Sequence, residues 1–193
     1  MELCQLDRKY YYNLVQYNKV LMERNTVLKG KQIDESILDI YDDQLASFGE
    51  YVIKQRLWYI EQLNKYGKSI HKDITSNMED VEFGYLCQLK AFDNIKMDLL
   101  QLLKKNRASD ILKHITSVGP HRDDFYIKLN GIDTRNFGSQ GQQRTSVLTI
   151  KFASLQIIKE ETKEYPILLL DDVLSSTSKI NERIKEIIDK RGL

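Results

Sequence analysis

The sequence predicts an α/β protein carrying an α-helical arm, and the contrast between its two parts predicts it. Up to about Val118 the chain is charged and sparsely punctuated, with apolar residues at helical spacing. From Gly119 onward short apolar runs alternate with turn residues, and both prolines, Pro120 and Pro166, fall there. Gly119-Pro120 ends any helix, so the boundary is placed between an α-helical arm domain over 1–118 and an α/β lobe over 119–193.

Within the arm, residues 7–29 read as one helix with Asp7 as N-cap and Gly30 as the stop. A second helix begins near Asp34. Leu38, Leu45, Val52, Tyr59 and Tyr66 recur every seven positions, while Tyr41 and Phe48 fill a second seam position before Gln55 and Gln62 break it. Such a seam, sound for about two heptads and then degraded, suits an antiparallel helical arm. Residues 80–86 alternate like a strand or hairpin edge, and 94–105 return to helical spacing through Ile95, Leu99 and Leu102. Residues 109–114 make a short capped helix.

In the lobe, 125–129 and 132–135 read as strands joined by Asn130-Gly131, a strong hairpin pair. Residues 142–162 form a helix with Val147, Ile150, Leu155 and Ile158 on its apolar side. The apolar run 167–170, ending in Asp171-Asp172, reads as a buried strand of a largely parallel sheet. A last helix starts near Ser178.

Composition removes several function classes. Hydrophobic residues are 41% and charged residues 30%, with a mean hydropathy of −0.46, which fits a soluble helix-rich protein with a core. A net charge of +1 gives no overall electrostatic case for nucleic acid, so any DNA contact would rest on local patches. Cys4 and Cys87 stand alone, without metal-ligand spacing, and are expected to be reduced thiols. No apolar run is long enough for a membrane span, and residues 1–13 lack a signal peptide's pattern. A cytoplasmic location without a membrane partner is expected.

Two motifs carry chemistry. Phe137-Gly138-Ser139-Gln140-Gly141-Gln142 stands directly ahead of a helix, where glycines admit close approach and unpaired N–H groups favour an anion. Asp171 and Asp172 end an apolar strand, where one carboxylate can hold Mg2+ and the other can orient water. Alone, each is more often a plain turn or a capping pair. Together, 32 positions apart, the Ser-x-Gly-Gln turn, helix, apolar strand and acid pair follow the order of an ABC signature motif and Walker B strand.

That order resembles the RecF and SMC branch of ATPases. Gly119-Pro120-His121-Arg122-Asp123-Asp124, followed by a strand, resembles the RecF family itself, and so do the Tyr17-Asn18 and Arg24-Asn25 pairs of the arm. The resemblance implies the C-terminal lobe of an ABC-type ATPase head with an inserted helical domain. It implies ATP and Mg2+ as cofactors, with Ser139, Gln140, Gly141 and Gln142 facing the γ-phosphate held by a second subunit. Asp171 would then support Mg2+, and Asp172 would be the general base. As partners it implies gapped DNA, RecR, RecO and a second copy in an ATP-dependent homodimer that helps load RecA. No GxxxxGK[ST] occurs, and Gly67-Lys68-Ser69 is a decoy inside a helical stretch. The family's P-loop would precede Met1, so the chain is expected to be a piece of a longer protein, inactive alone. Where the family continues Glu-Leu-Asp after the acid pair, this chain has Ser176-Thr177-Ser178. The alternatives are another SMC-like head or a non-enzymatic partner-binding module. His121 and Arg122 are read as a structural turn, Arg144 as a surface residue, and His71 and His114 as ordinary surface histidines.

Overall fold

A computed structural model of the chain describes residues 2–164 together with Glu186 and Ile188. The element order is α1 (Glu2–Leu6), α2 (Arg8–Leu28), α3 (Glu35–Thr75), β1 (Val81–Leu86), α4 (Ile95–Lys113), β2 (Asp124–Leu129), β3 (Ile132–Asp133), α5 (Thr134–Phe137) and α6 (Gln140–Thr162). The described residues are mostly helical with one small sheet, and they form two compact units. Unit 1 comprises Leu3–Leu57 and Tyr85–Asp124; unit 2 comprises Trp58–Gly84 and the described residues from Phe125 to Glu164.

In unit 1, α2 starts where the sequence says it should, with the Asp7 carboxylate accepting from Lys9 N–H at 2.8 Å. It ends through N–H bonds of Lys29 and Gly30 to the carbonyls of Thr26 and Val27. Tyr17 and Val20 of α2 pack in one cluster with Leu45, Ala46 and Ile53 of α3, with Ile95, Leu99 and Leu103 of α4, and with Val118. The predicted seam residues Leu38, Leu45 and Val52 are fully buried. Beyond them the helix changes its buried face. Tyr59 and Tyr66 are half-buried, and Leu63, Ile70 and Ile74 take the inner positions instead. The heptad fails because α3 runs on as a single 41-residue helix into unit 2. Helix α4 is also continuous through residues 109–113, with His114 as its left-handed C-cap, against the separate short helix expected there. Its Asp110 is not a cap but a fully buried carboxylate.

In unit 2, β2 and β3 pair antiparallel with Lys128 opposite Asp133 and Leu129 opposite Ile132, in a sheet of order β1-β2-β3. Asn130 and Gly131 both take positive φ, +48° and +82°, the requirement of the tight hairpin turn that their pairing predicted. The expected strand over 132–135 is shorter, because Thr134 already opens α5. Gly67 of the decoy tripeptide lies inside α3, where an added Cβ would come within 2.8 Å of the Phe83 ring. Its role is close packing. The predicted strand 167–170, the acid pair and the helix from Ser178 lie outside the described residues.

The inner face of α6 differs from the predicted one. Ser146, Leu148, Thr149, Phe152, Ala153, Ser154, Leu155 and Ile157 are buried, whereas Val147 is 47% exposed. Three of the inward positions are hydroxyl residues, so the buried stripe is mixed rather than purely apolar. Ser154 Oγ meets the Tyr59 hydroxyl at 2.7 Å, which satisfies both groups inside unit 2.

Candidate functional site

The turn ahead of α6 is built by reciprocal capping. Ser139 is the N-cap: its hydroxyl oxygen accepts from Gln142 N–H at 3.2 Å, and the Gln142 side-chain oxygen accepts from Ser139 N–H at 2.9 Å. The Gln142 amide nitrogen donates to Glu79 Oε1 at 2.8 Å, so both ends of that amide are engaged. The Ser139 carbonyl accepts the Gln143 N–H at 2.9 Å.

What remains free is a compact donor set. Ser139, Gln140 and Gly141 are exposed, and the first helical N–H groups, those of Gln140 and Gly141, have no intrahelical acceptor. The Ser139 hydroxyl uses its oxygen inward and keeps its proton for an outside acceptor. Twenty-three residues of helix place their positive dipole end at the same point. The two glycines of the turn serve different ends. A Cβ on Gly138 would collide with the Thr134 carbonyl, so the fold itself needs glycine there. A Cβ on Gly141 would meet only Ser139 Oγ, at 3.9 Å. Internal packing therefore does not demand glycine at 141.

Glu79 and His71 were not found by sequence reasoning. The expectation of a surface His71 is overturned: it is 0% exposed, with Nδ1 2.8 Å from Thr149 Oγ1 and Nε2 3.3 Å from Glu79 Oε2. Nothing in the local sequence marks Glu79, since its partner lies 63 positions away. Asp171 and Asp172 lie outside the described residues, and so do Ser176, Thr177 and Ser178. Among the described residues no group of three His, Cys, Asp or Glu side chains could hold a metal ion, and no helix is long and apolar enough to cross a membrane.

The Gly119–Asp124 block falls in unit 1 and organises that unit's interior. The Thr116 carbonyl accepts from His121 Nε2 at 3.0 Å and from Arg122 at 3.3 Å. A carbonyl only accepts, so His121 carries its proton on Nε2 and takes the Tyr17 hydroxyl proton on Nδ1, at 2.7 Å. The Pro120 carbonyl accepts from Arg56, and Asp123 accepts from the Tyr85 hydroxyl, each at 2.5 Å. A structural turn is what the sequence predicted here.

His71, fully buried, and His121, partly buried, both titrate low. Burial pushes His71 and His121 below their ordinary value of 6.5, against the opposite pull of Glu79 on the former and the Thr116 carbonyl on the latter. The unfolded chain therefore takes up protons first as pH falls below about 6.5. The histidine contribution is complete above that pH and declines toward the lower folded values. Asp123, raised by burial, titrates in the opposite sense. Urea midpoints at pH 7.5 and 5.5 should differ less in a His71→Gln/His121→Gln variant than in the wild type. An unchanged difference would remove the histidines as its source.

Over 175 residues the chain is 67% identical to the DNA replication and repair protein RecF of Clostridium perfringens, covering 91% of this chain and 48% of that protein. Over 193 residues it is 54% identical to RecF of Clostridium botulinum, covering 98% and 53%. The chain is RecF-like along nearly its whole length. It spans about half the length of the curated relatives it matches. No family model matches it. The structure of the recombination mediator protein RecF-ATP in the RecFOR pathway superposes with a TM-score of 0.87 at 38% identity, over 98% of this chain and 52% of that one. The corresponding RecF-ATPrS structure gives 0.84. The fold is thus that of RecF, an ABC-ATPase type, over about half of that protein.

Proposed function

We propose that this chain supplies the signature half of an ATP site in a RecF-type DNA-repair ATPase, completing a site whose nucleotide is held by a second copy. The observation that carries the reading is the capped N-terminus of α6. Its Ser139 hydroxyl and the N–H groups of Gln140 and Gly141 face outward, and Gln142 holds the turn in shape. Bound Mg-ATP would supply negative phosphate oxygens to accept from such donors, and similarity to a RecF solved with ATP supports ATP as the nucleotide. Asp171 would hold Mg2+, and Asp172 would take the proton of the attacking water. Because the donors and the P-loop would lie on different copies, ATP gates dimerisation. The dimer would act at gapped DNA in the cytoplasm and, with RecR and RecO, help load RecA. The chain without a P-loop would neither bind ATP tightly nor hydrolyse it.

Ser139→Arg tests the reading in the full-length RecF-type protein carrying this sequence. ATP binding to the monomer should be unchanged, while ATP-driven dimerisation, followed by light scattering, should be lost. The arginine side chain would fill the space in which the partner's phosphate docks. Normal dimerisation of this variant would show that the turn does not act across subunits.

A further inference from the structure

Glu79 stands between the cap of α6 and a buried histidine of α3, and its two oxygens divide the work. Oε1 accepts from the Gln142 amide nitrogen at 2.8 Å, and Oε2 faces His71 Nε2 at 3.3 Å. A carboxylate only accepts, so His71 presents its Nε2 proton to Glu79, while its Nδ1 lies 2.8 Å from the Thr149 hydroxyl, which also donates to the Thr145 carbonyl. Glu79 is thereby held from behind by a side chain that is itself fully buried.

The consequence falls on the Gln142 amide, whose two ends are chemically opposite. In the observed orientation its oxygen accepts from Ser139 N–H and its nitrogen donates to Glu79. Rotated by half a turn, it would set its NH2 against Ser139 N–H and its oxygen against the Glu79 carboxylate, and both pairings repel. Only the observed orientation ties Ser139 N–H inward and leaves the Ser139 hydroxyl proton, with the N–H groups of Gln140 and Gly141, as the outward donors. We propose that Glu79, backed by His71, is a positioning residue: it fixes the Gln142 amide and so sets the donor geometry that the turn offers a phosphate. This rests on the cross-subunit reading given above.

The test uses the full-length RecF-type protein carrying this sequence, with Mg-ATP as the probe. Glu79→Met fills similar space without an acceptor; Glu79→Ala serves in its place if the longer side chain does not fold. ATP-driven dimerisation should weaken by about tenfold, the order expected for one charge-assisted hydrogen bond, with monomer ATP binding unchanged. Glu79→Gln, whose amide oxygen can still accept from Gln142, should recover most of the loss. In a double-mutant cycle, Glu79→Met should add nothing to Gln142→Ala, because both remove the same link. Wild-type dimerisation in Glu79→Met would overturn the proposal, as would losses that multiply in the double variant or a parallel loss of monomer ATP binding. Ser139→Arg separates the two ideas. If it dimerises normally, the cross-subunit reading fails; if it is blocked while Glu79→Met is unaffected, the positioning role alone fails.

Discussion

Replacing Arg24 with leucine is expected to destabilise unit 1 by about 3–5 kcal/mol, the cost of leaving a buried charge without its partner. Arg24 is fully buried. Its Nε donates to Asp42 at 2.7 Å, and one terminal nitrogen donates to Asp110 at 2.9 Å and to Thr116 at 2.8 Å. The two carboxylates are not equally dependent on it. Asp42 also receives Arg107 at 2.6 Å, whereas the other oxygen of Asp110 is met by the backbone N–H and hydroxyl of Ser117, which carry no full charge. Asp110 should therefore be the uncompensated group in Arg24→Leu. Adding Asp110→Asn removes that charge and should return part of the lost stability, so the two substitutions should be non-additive. Urea unfolding of the single and double variants reads this directly. A double variant that loses the sum of the two single losses would place the cost in lost packing rather than in unpaired charge.

Arg24 also shows what the sequence displayed and what it concealed. Arg24-Asn25 and Tyr17-Asn18 were visible as family-like pairs, but their purpose was not, because their partners lie far along the chain. Asn25 accepts from Thr116, and Tyr17 donates to His121, so Tyr17, Asn25 and the Gly119–Asp124 block belong to one partly buried network. Features that close on themselves within a few residues were legible. The Asp7 cap and the Asn130-Gly131 turn depend on local backbone geometry, which local sequence encodes. Features settled by tertiary partners were not. Ser-Asp at 109–110 looks like a helix start, yet Asp110 spends its carboxylate on Arg24 and Ser117 within a continuous helix. The inner face of α6 was misread because Thr149 and Ser154 are buried on it, each answered by a polar group of α3. His71 and Glu79 escaped for the same reason, since a lone histidine and a lone glutamate carry no periodic signal. The division of α3 between two units has no glycine or proline to announce it at Leu57-Trp58.

The largest functional effect is expected from Asp172→Asn in the full-length RecF-type protein carrying this sequence. Under the proposed mechanism the Asp172 carboxylate takes the proton of the attacking water, and an amide cannot. Turnover should fall by roughly a hundred- to ten-thousand-fold, the range associated with one general base. ATP binding and dimerisation should survive, because the substitution leaves the donors of the α6 turn in place and removes only a proton acceptor. The expected product is a persistent ATP-bound dimer. Asp171→Asn should behave differently: with a weaker ligand for Mg2+, nucleotide binding itself should lose part of its dependence on the metal. Ser139→Arg fails at a third step, with nucleotide bound and no dimer. Light scattering with and without ATP, combined with phosphate release and nucleotide binding over a Mg2+ titration, distinguishes the three. Should Asp172→Asn retain wild-type phosphate release, the base must be another residue. Should it lose dimerisation as well, the acid pair would act in assembling the site rather than in the proton transfer that follows.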